Sequence, residues 1–349
     1  MKILSISNLD IWPAGEKKGI PSIYFSQKIF RERGHEIYFL CPANNNKSGY
    51  TDYQGIRISR FKVPFASLFN LISILRLDRF WSHLLSTFFS NLQWFLFQFF
   101  CFFWAIKSAL RFRPDLIYVH SLTPAFVGWL ISKIFKTRLV IRVYGTDNLY
   151  WAFKKPLLRI KNFRDYLAFK LGADYFVITK DGTRGADLAQ LLGVNKDKIL
   201  DYRNGVDFDI YNPDPHLKEK ICKDLGVDSD SKIILSLARL VPFYGLDKLI
   251  SSLPELFRLN PQAICVFAGD GPQRSQLVEF VKRKNIEQRV LFLGNIEREL
   301  VVKLLNICEV FVAFSKYSNT NNSLLEAMVC AKCIVSLKDD TIRETLTDG

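Results

Sequence analysis

An arginine just past an apolar strand, a glycine-rich turn after the next strand and a polar loop opening a short helix can together hold a phosphorylated anion. Here the arginine is Arg239, after the apolar run Lys232 to Leu237. The turn is Gly269-Asp270-Gly271-Pro272, and the loop is Tyr317 to Ser323, ahead of Leu324 to Met328. The first amides of a helix lack intrahelical acceptors and sit at the positive end of its dipole, which suits a diphosphate. Arg239 would supply neutralising charge. Glu326, one turn into that helix, can accept hydrogen bonds from ribose hydroxyls. Taken singly, each residue also fits a plain role: a surface ion pair for Arg239, a helix-terminus carboxylate for Glu326.

These groups need strands whose carboxyl ends bring them together, and the chain reads as two such series. Lys2 to Ile6, the helix Ser22 to Arg33 stopped by Gly34, and Glu36 to Cys41 form a βαβ unit, which implies a parallel sheet. Asp115 to Val119, the helix Thr123 to Phe135 and Arg138 to Val143 repeat it, and Tyr175 to Thr179 adds a strand. A second series follows Ile199 to Tyr202. Its strands are Lys232 to Leu237, Ala263 to Ala268, Val290 to Leu293, Val310 to Phe314 and Cys333 to Ser336, alternating with helices. One of these, Leu246 to Phe257, is expected to kink or shorten at Pro254. The fold class is α/β, with two Rossmann-like, doubly wound parallel-sheet domains over residues 1–200 and 201–349. Their strand ends are expected to face a shared cleft.

The 349 residues include 49% hydrophobic and 23% charged side chains, which excludes a disordered chain, a collagen and a coiled-coil rod. Seven cysteines are scattered behind an opening strand with no secretory leader, so reduced thiols in a cytosolic protein are expected. Cys330 and Cys333 form the only C-x-x-C and read as small apolar residues, with no second pair or histidine cluster to build a metal site. Residues 1–200 hold 29 basic and 13 acidic side chains, net +16, against 19 and 21, net −2, in the remainder. A basic half calls for a polyanionic partner. No RNP, helix-turn-helix or zinc-finger signal supports nucleic acid. Ten of the seventeen residues from Phe88 to Trp104 are aromatic, which favours an anionic membrane surface.

Phe80 to Ile106 runs 27 residues without a Lys, Arg, Asp or Glu, long enough to span a bilayer, for which about 20 suffice. A single span would place strands of one sheet on opposite sides of the membrane. A monotopic helix or re-entrant pair is therefore expected, and a helix buried wholly in the domain is the alternative. The expected membrane-binding residues are Arg76, Arg79, Trp94, Phe99, Phe103, Trp104 and Lys107, with Lys154 and Lys155 in a second basic amphipathic stretch that also reads as a solvated helix face.

Asn204-Gly205-Val206-Asp207 with Pro213, Arg239, Gly245-Leu246-Asp247, the Gly269 to Pro272 turn, Phe292-Leu293-Gly294 and Leu325-Glu326-Ala327-Met328 together resemble the retaining glycosyltransferases of family 4, of GT-B fold. Met1-Lys2-Ile3, Gly15 to Gly19 and Arg33 to Glu36 are similar as well. The resemblance implies transfer of a sugar from a nucleotide-diphospho-sugar, a UDP- or GDP-sugar, with retention and without cofactor or bound metal. Taken with the aromatic and basic segments, it leads to the expectation of a cytoplasmic enzyme held peripherally at the membrane and acting on a lipid-linked or cell-envelope glycan. It implies that the C-terminal domain holds the donor and that Arg239 contacts the diphosphate and Glu326 the ribose. Gly19, Asn204, Tyr244, Gly269, Asn295 and the segment Asn321, Asn322, Ser323 and Leu324 would complete the donor site. His120 falls where the family places a sugar- or acceptor-contacting group; a neutral capping histidine fits equally.

The chain departs from the family at Tyr244, where a lysine is usual, and at Ser318, where a first glutamate is usual. Ala331 and Tyr144-Gly145 replace a glycine and a His-Gly. These changes leave open a non-catalytic homologue that binds or scaffolds an active transferase. Because family members continue past the position of Asp348-Gly349, a shortened second domain is expected.

Overall fold

The computed structural model describes residues 1–11, 21–43, 48–64, 79–146, 149–206, 208, 216–315, 321–338, 340–343 and 345–346, and for 21, 79–86, 340 and 341 the backbone alone. The chain divides into two compact units, one of Met1–Thr179 with Arg184–Tyr202 and one of Lys180–Thr183 with Arg203–Gly349.

The first unit runs β1 (Lys2–Ser7), α1 (Pro21–Glu32), β2 (Glu36–Pro42), β3 (Gly49–Tyr53), β4 (Ile56–Phe61), α2 (Arg79–Phe112), β5 (Leu116–His120), α3 (Ala125–Phe135) and β6 (Arg138–Val143). It continues through α4 (Leu149–Phe153), α5 (Pro156–Lys161), α6 (Phe163–Lys170), β7 (Tyr175–Thr179), α7 (Gly185–Leu191) and β8 (Ile199–Tyr202). The sheet order is β3-β4-β2-β1-β5-β6-β7-β8. Every pairing is parallel except β3 with β4. Near-continuous apolar strands such as β5 are buried on both faces, as a parallel sheet covered by helices requires.

One feature departs from the sequence-based reading. β3 and β4 form a hairpin that was not expected; its turn, Gln54-Gly55, has φ of 51° and 77°. Both central residues are left-handed, but glutamine replaces the asparagine or aspartate that marks such turns. As the sequence places it, Ile199 to Tyr202 precedes the second series: β8 pairs with β7 and closes the first sheet.

The second unit contains α8 (Leu217–Leu225), β9 (Lys232–Leu237), α9 (Leu246–Leu259), β10 (Ala263–Ala268), α10 (Arg274–Arg283) and β11 (Val290–Gly294). α11 (Arg298–Ile307), β12 (Val310–Ala313), α12 (Asn322–Val329), β13 (Cys333–Ser336) and α13 (Asp340–Arg343) follow. The sheet is wholly parallel, in the order β11-β10-β9-β12-β13. α9 continues through Pro254 to Leu259, so the helix is not shortened there. Its face of Leu246, Leu249, Ile250, Leu253 and Phe257 is buried, and that packing outweighs the one backbone bond the proline cannot make.

Each sheet has a point where the strand order reverses: β1, between β2 and β5, and β9, between β10 and β12. In open α/β sheets the crevice outside the carboxyl ends of the strands at such a point is where ligands bind.

Candidate functional site

In the second unit, the carboxyl ends of β9 to β12 and the start of α12 build one edge. Arg239 follows β9, is exposed, and has no ion pair among the described residues. The backbone beside it is fixed by the β10 turn: Ala238 N donates to Ala268 O at 3.1 Å and Leu240 N to Asp270 O at 3.0 Å. Gly269 permits this approach. Its φ is +136°, and a Cβ there would lie 2.0 Å from the carbonyl oxygen of Ala238. Gly269 N in turn donates to Gly294 O at 2.8 Å, which brings the exit of β11 and exposed Asn295 to the same edge.

The start of α12 is tied to β9 by side chains. Ser323 Oγ lies 3.0 Å from Asn321 Oδ1 and 3.4 Å from Leu237 O at the end of β9, and from the segment after β8 Asn204 Nδ2 donates to Asn322 Oδ1 at 2.8 Å. Asn321 caps the helix by accepting from Leu324 N at 3.0 Å. That corrects one expectation: the Leu324 amide is already used by the protein, which leaves the amides of Asn322 and Ser323 as the first-turn donors without an intrahelical acceptor. Tyr244 is half-buried against Phe243, their ring centroids 5.0 Å apart. Gly245, at φ +58°, lies so close to β12 that a Cβ would meet Phe314 O at 2.8 Å, which pins the Tyr244 loop beside this edge.

Glu326 is only 8% exposed, and its Oε1 accepts from Arg298 Nη1 at 2.7 Å. A carboxylate this buried needs a cation to offset lost hydration. Arg298, the first residue of α11, is a member of the site that sequence reasoning missed. Nothing in its spacing marks it, since the pair is 28 positions apart.

At the reversal point of the first sheet, β1 pairs Ser7 with His120 of β5. His120 is fully buried. Gln27 Oε1 accepts from Ser5 Oγ at 2.6 Å, so its amide nitrogen donates to His120 Nε2 at 3.1 Å. The ring proton then sits on Nδ1 and is directed at Tyr144 Oη, 2.7 Å away. Both nitrogens are engaged within the protein, as the neutral histidine reading has it, and the Nδ1 contact holds Tyr144 Oη beside the ring. A polar Gln27 on the buried Ile23, Tyr24 face of α1 is the sequence signal that could have revealed this network.

Burial, helped by the charge of Arg142, lowers the His120 pKa from 6.5 to about 3. Between these values the unfolded chain takes up a proton that the folded chain refuses, so stability falls as pH falls. From pH 8 to pH 5 the wild type should lose about 2 kcal/mol through this residue. Urea unfolding at several pH values should show a flatter profile for His120→Gln.

The expected membrane residues separate. Phe99, Phe103, Trp104 and Lys107 of α2 are exposed, as are Lys154 and Lys155. Trp94 is not: it is 7% exposed and packs on Phe126 of α3 and Phe163 of α6, at 6.3 and 5.8 Å between ring centroids. Its assignment to the membrane is therefore corrected to the helix-packing core. α2 is one continuous helix, which replaces the re-entrant pair, and its exposed face replaces the wholly buried alternative. Gly15 to Gly19, Arg76, Asp207, Pro213 and Ser318 lie outside the described residues, as does the Arg79 side chain. All seven cysteines are free, and five are buried. Among the described residues no group of three or more His, Cys, Asp or Glu side chains could hold a metal ion.

Residues 28–210 match the family described as Glycosyltransferase Family 4, and residues 218–349 match Glycosyl transferases group 1. An uncharacterized glycosyltransferase of Methanocaldococcus jannaschii is 26% identical over 64% of this chain and 57% of its own length. One component of the human phosphatidylinositol N-acetylglucosaminyltransferase is 23% identical over 94% of this chain and 60% of its own length. The chain thus spans less than two thirds of these curated relatives. Among solved structures, Anabaena HepE in complex with UDP and glucose matches with a TM-score of 0.70 at 20% identity, covering 100% of this chain and 84% of that one. The paired parallel sheets, the edge at Arg239 and α12, and these matches together show that the chain belongs to glycosyltransferase family 4, with the GT-B fold.

Proposed function

We propose that this protein transfers a sugar from a nucleotide-diphospho-sugar, a UDP- or GDP-sugar, to a lipid-linked or cell-envelope glycan acceptor, with retention of anomeric configuration and without a bound metal. The observation that carries this reading is the reversal point of the second sheet, where Arg239 at the exit of β9 lies beside the amino end of α12. A leaving diphosphate would be stabilised there by the guanidinium and by the amides of Asn322 and Ser323, while Glu326, braced by Arg298, accepts from the ribose. Catalysis in this reading is electrostatic and positional, with no side chain assigned as general base. The second unit holds the donor. The first binds the acceptor and lies peripherally on the cytoplasmic face of the membrane.

The UDP and glucose of the HepE complex support the donor class. The name of the human relative, which specifies phosphatidylinositol, supports a lipid acceptor. Tyr244 favours a second reading: a tyrosine hydroxyl where the family carries a lysine charge weakens the grip on phosphate, as a non-catalytic binding or scaffolding homologue would tolerate. Incubation with labelled UDP- and GDP-sugars and a membrane lipid extract separates the two. Transfer with the donor's own anomeric configuration, read by NMR of the product, is expected. Donor binding without turnover across the panel would support the scaffold, and an inverted product would rule out retention.

A further inference from the structure

The helix α2 carries two apolar faces. The inward one, including Cys101, Ala105, Ser108 and Ala109, is buried, and its small side chains let the helix lie close on β1, β2 and β4. The opposite face presents Phe88, Leu92, Phe95, Phe99, Phe103 and Leu110 to solvent, each 37% exposed or more. Their spacing of three, four and seven residues keeps them in one stripe, about 33 Å long at 1.5 Å per residue. Soluble domains rarely leave so long a continuous apolar strip uncovered. Thr87–Phe112 is long and apolar enough to cross a bilayer by length and composition. Crossing would draw the sheet that covers its inward face into hydrocarbon, where the open edges of the sheet would go unpaired.

A second patch adjoins the stripe. Phe163, at the start of α6, stacks on Phe95, their ring centroids 6.4 Å apart and their planes at 28°. Arg164 donates to Ser90 O at 3.1 Å. Three residues before Phe163, α5 exposes Ile160 at 73% and Leu157 at 79%. The segment from Leu149 to Lys170 carries six basic side chains and one acidic one. Lys154, Lys155 and Lys161 are exposed, and Lys107 lies 5.4 Å over the Trp104 ring at the edge of the stripe.

We infer that the α2 stripe and α5 form one membrane-docking face, on which α2 lies in the plane of an anionic bilayer with its phenylalanines at the boundary of headgroups and acyl chains. The excess of basic side chains selects lipid over a second copy of this chain, because two such faces would repel. The face deepens the lipid-acceptor reading above by naming its surface. The test is built so that the two can fail separately.

The wild type, Phe99→Ser/Phe103→Ser, Lys154→Glu/Lys155→Glu and a control, Leu259→Ser, exposed on the second unit, are sedimented with vesicles of phosphatidylcholine alone or with 30% phosphatidylglycerol. Thermal melts check folding, and UDP titration reads the donor site independently. The wild type and the control should pellet with anionic vesicles. The phenylalanine variant should lose at least tenfold in partitioning at any salt, and the lysine variant should lose at low salt only, because 1 M salt shortens the screening length to about 3 Å. Three results would overturn the inference. The wild type would stay in solution with anionic vesicles, the folded phenylalanine variant would pellet like the wild type, or light scattering would show a dimer that this variant dissolves. UDP binding retained alongside any of these would leave the donor assignment standing.

Discussion

Gly269→Ala is expected to cost about 3–5 kcal/mol of stability and to abolish binding at the second-unit edge. Its φ of +136° disfavours any side chain, and the added Cβ would stand 2.0 Å from Ala238 O, a backbone atom that cannot swing aside. Relief requires the β9 and β10 exits to part, which breaks the Leu240 to Asp270 bond and displaces Arg239. Gly205→Ala is the matched control in the same unit, because nothing lies within 4 Å of the position a Cβ would take there. It should change stability by less than about 0.5 kcal/mol. Urea midpoints for the two variants decide the matter, and equal midpoints would mean that the two loops do not touch as described.

Arg239→Ala should leave folding unchanged, since the side chain is exposed and has no ion pair among the described residues. Its effect should fall on ligand affinity instead. Loss of a charge-assisted hydrogen bond to diphosphate is worth about 1.5–3 kcal/mol, roughly a 10- to 150-fold rise in Kd for the nucleotide. Arg239→Lys keeps the charge but loses the planar fork and should recover part of this. A uridine nucleoside without phosphates should bind both proteins alike, which distinguishes a phosphate contact from a general disturbance of the edge.

Much of the architecture was legible because its strands are short apolar runs bounded by turns, as in Lys232 to Leu237 and Ala263 to Ala268, and such runs alternating with helical patterns announce parallel sheets. The Arg239 and Gly269 edge was legible for the same reason, since both residues immediately follow such strands. Features that depend on contacts distant in sequence were not. Trp94 and Phe95 are neighbours in an aromatic-rich run, yet one is buried and the other 56% exposed. The two side chains alone do not mark which turns inward, and the packing of Trp94 on Phe126 of α3 decides it. His120 likewise looked available at a strand end, but its partners are 93 and 24 positions away. The Arg298–Glu326 pair joins two helices through a charge that any surface helix could carry.

Whether the edge formed by Arg239, the Gly269 turn and α12 takes the nucleotide diphosphate of a sugar donor is tested most directly by calorimetric titration of UDP and GDP into the wild type and into Arg239→Ala. One of the two nucleotides should bind the wild type at a single site and bind Arg239→Ala at least tenfold more weakly. Absence of binding by both nucleotides to the folded wild type, or equal affinity for the two proteins, would contradict the assignment.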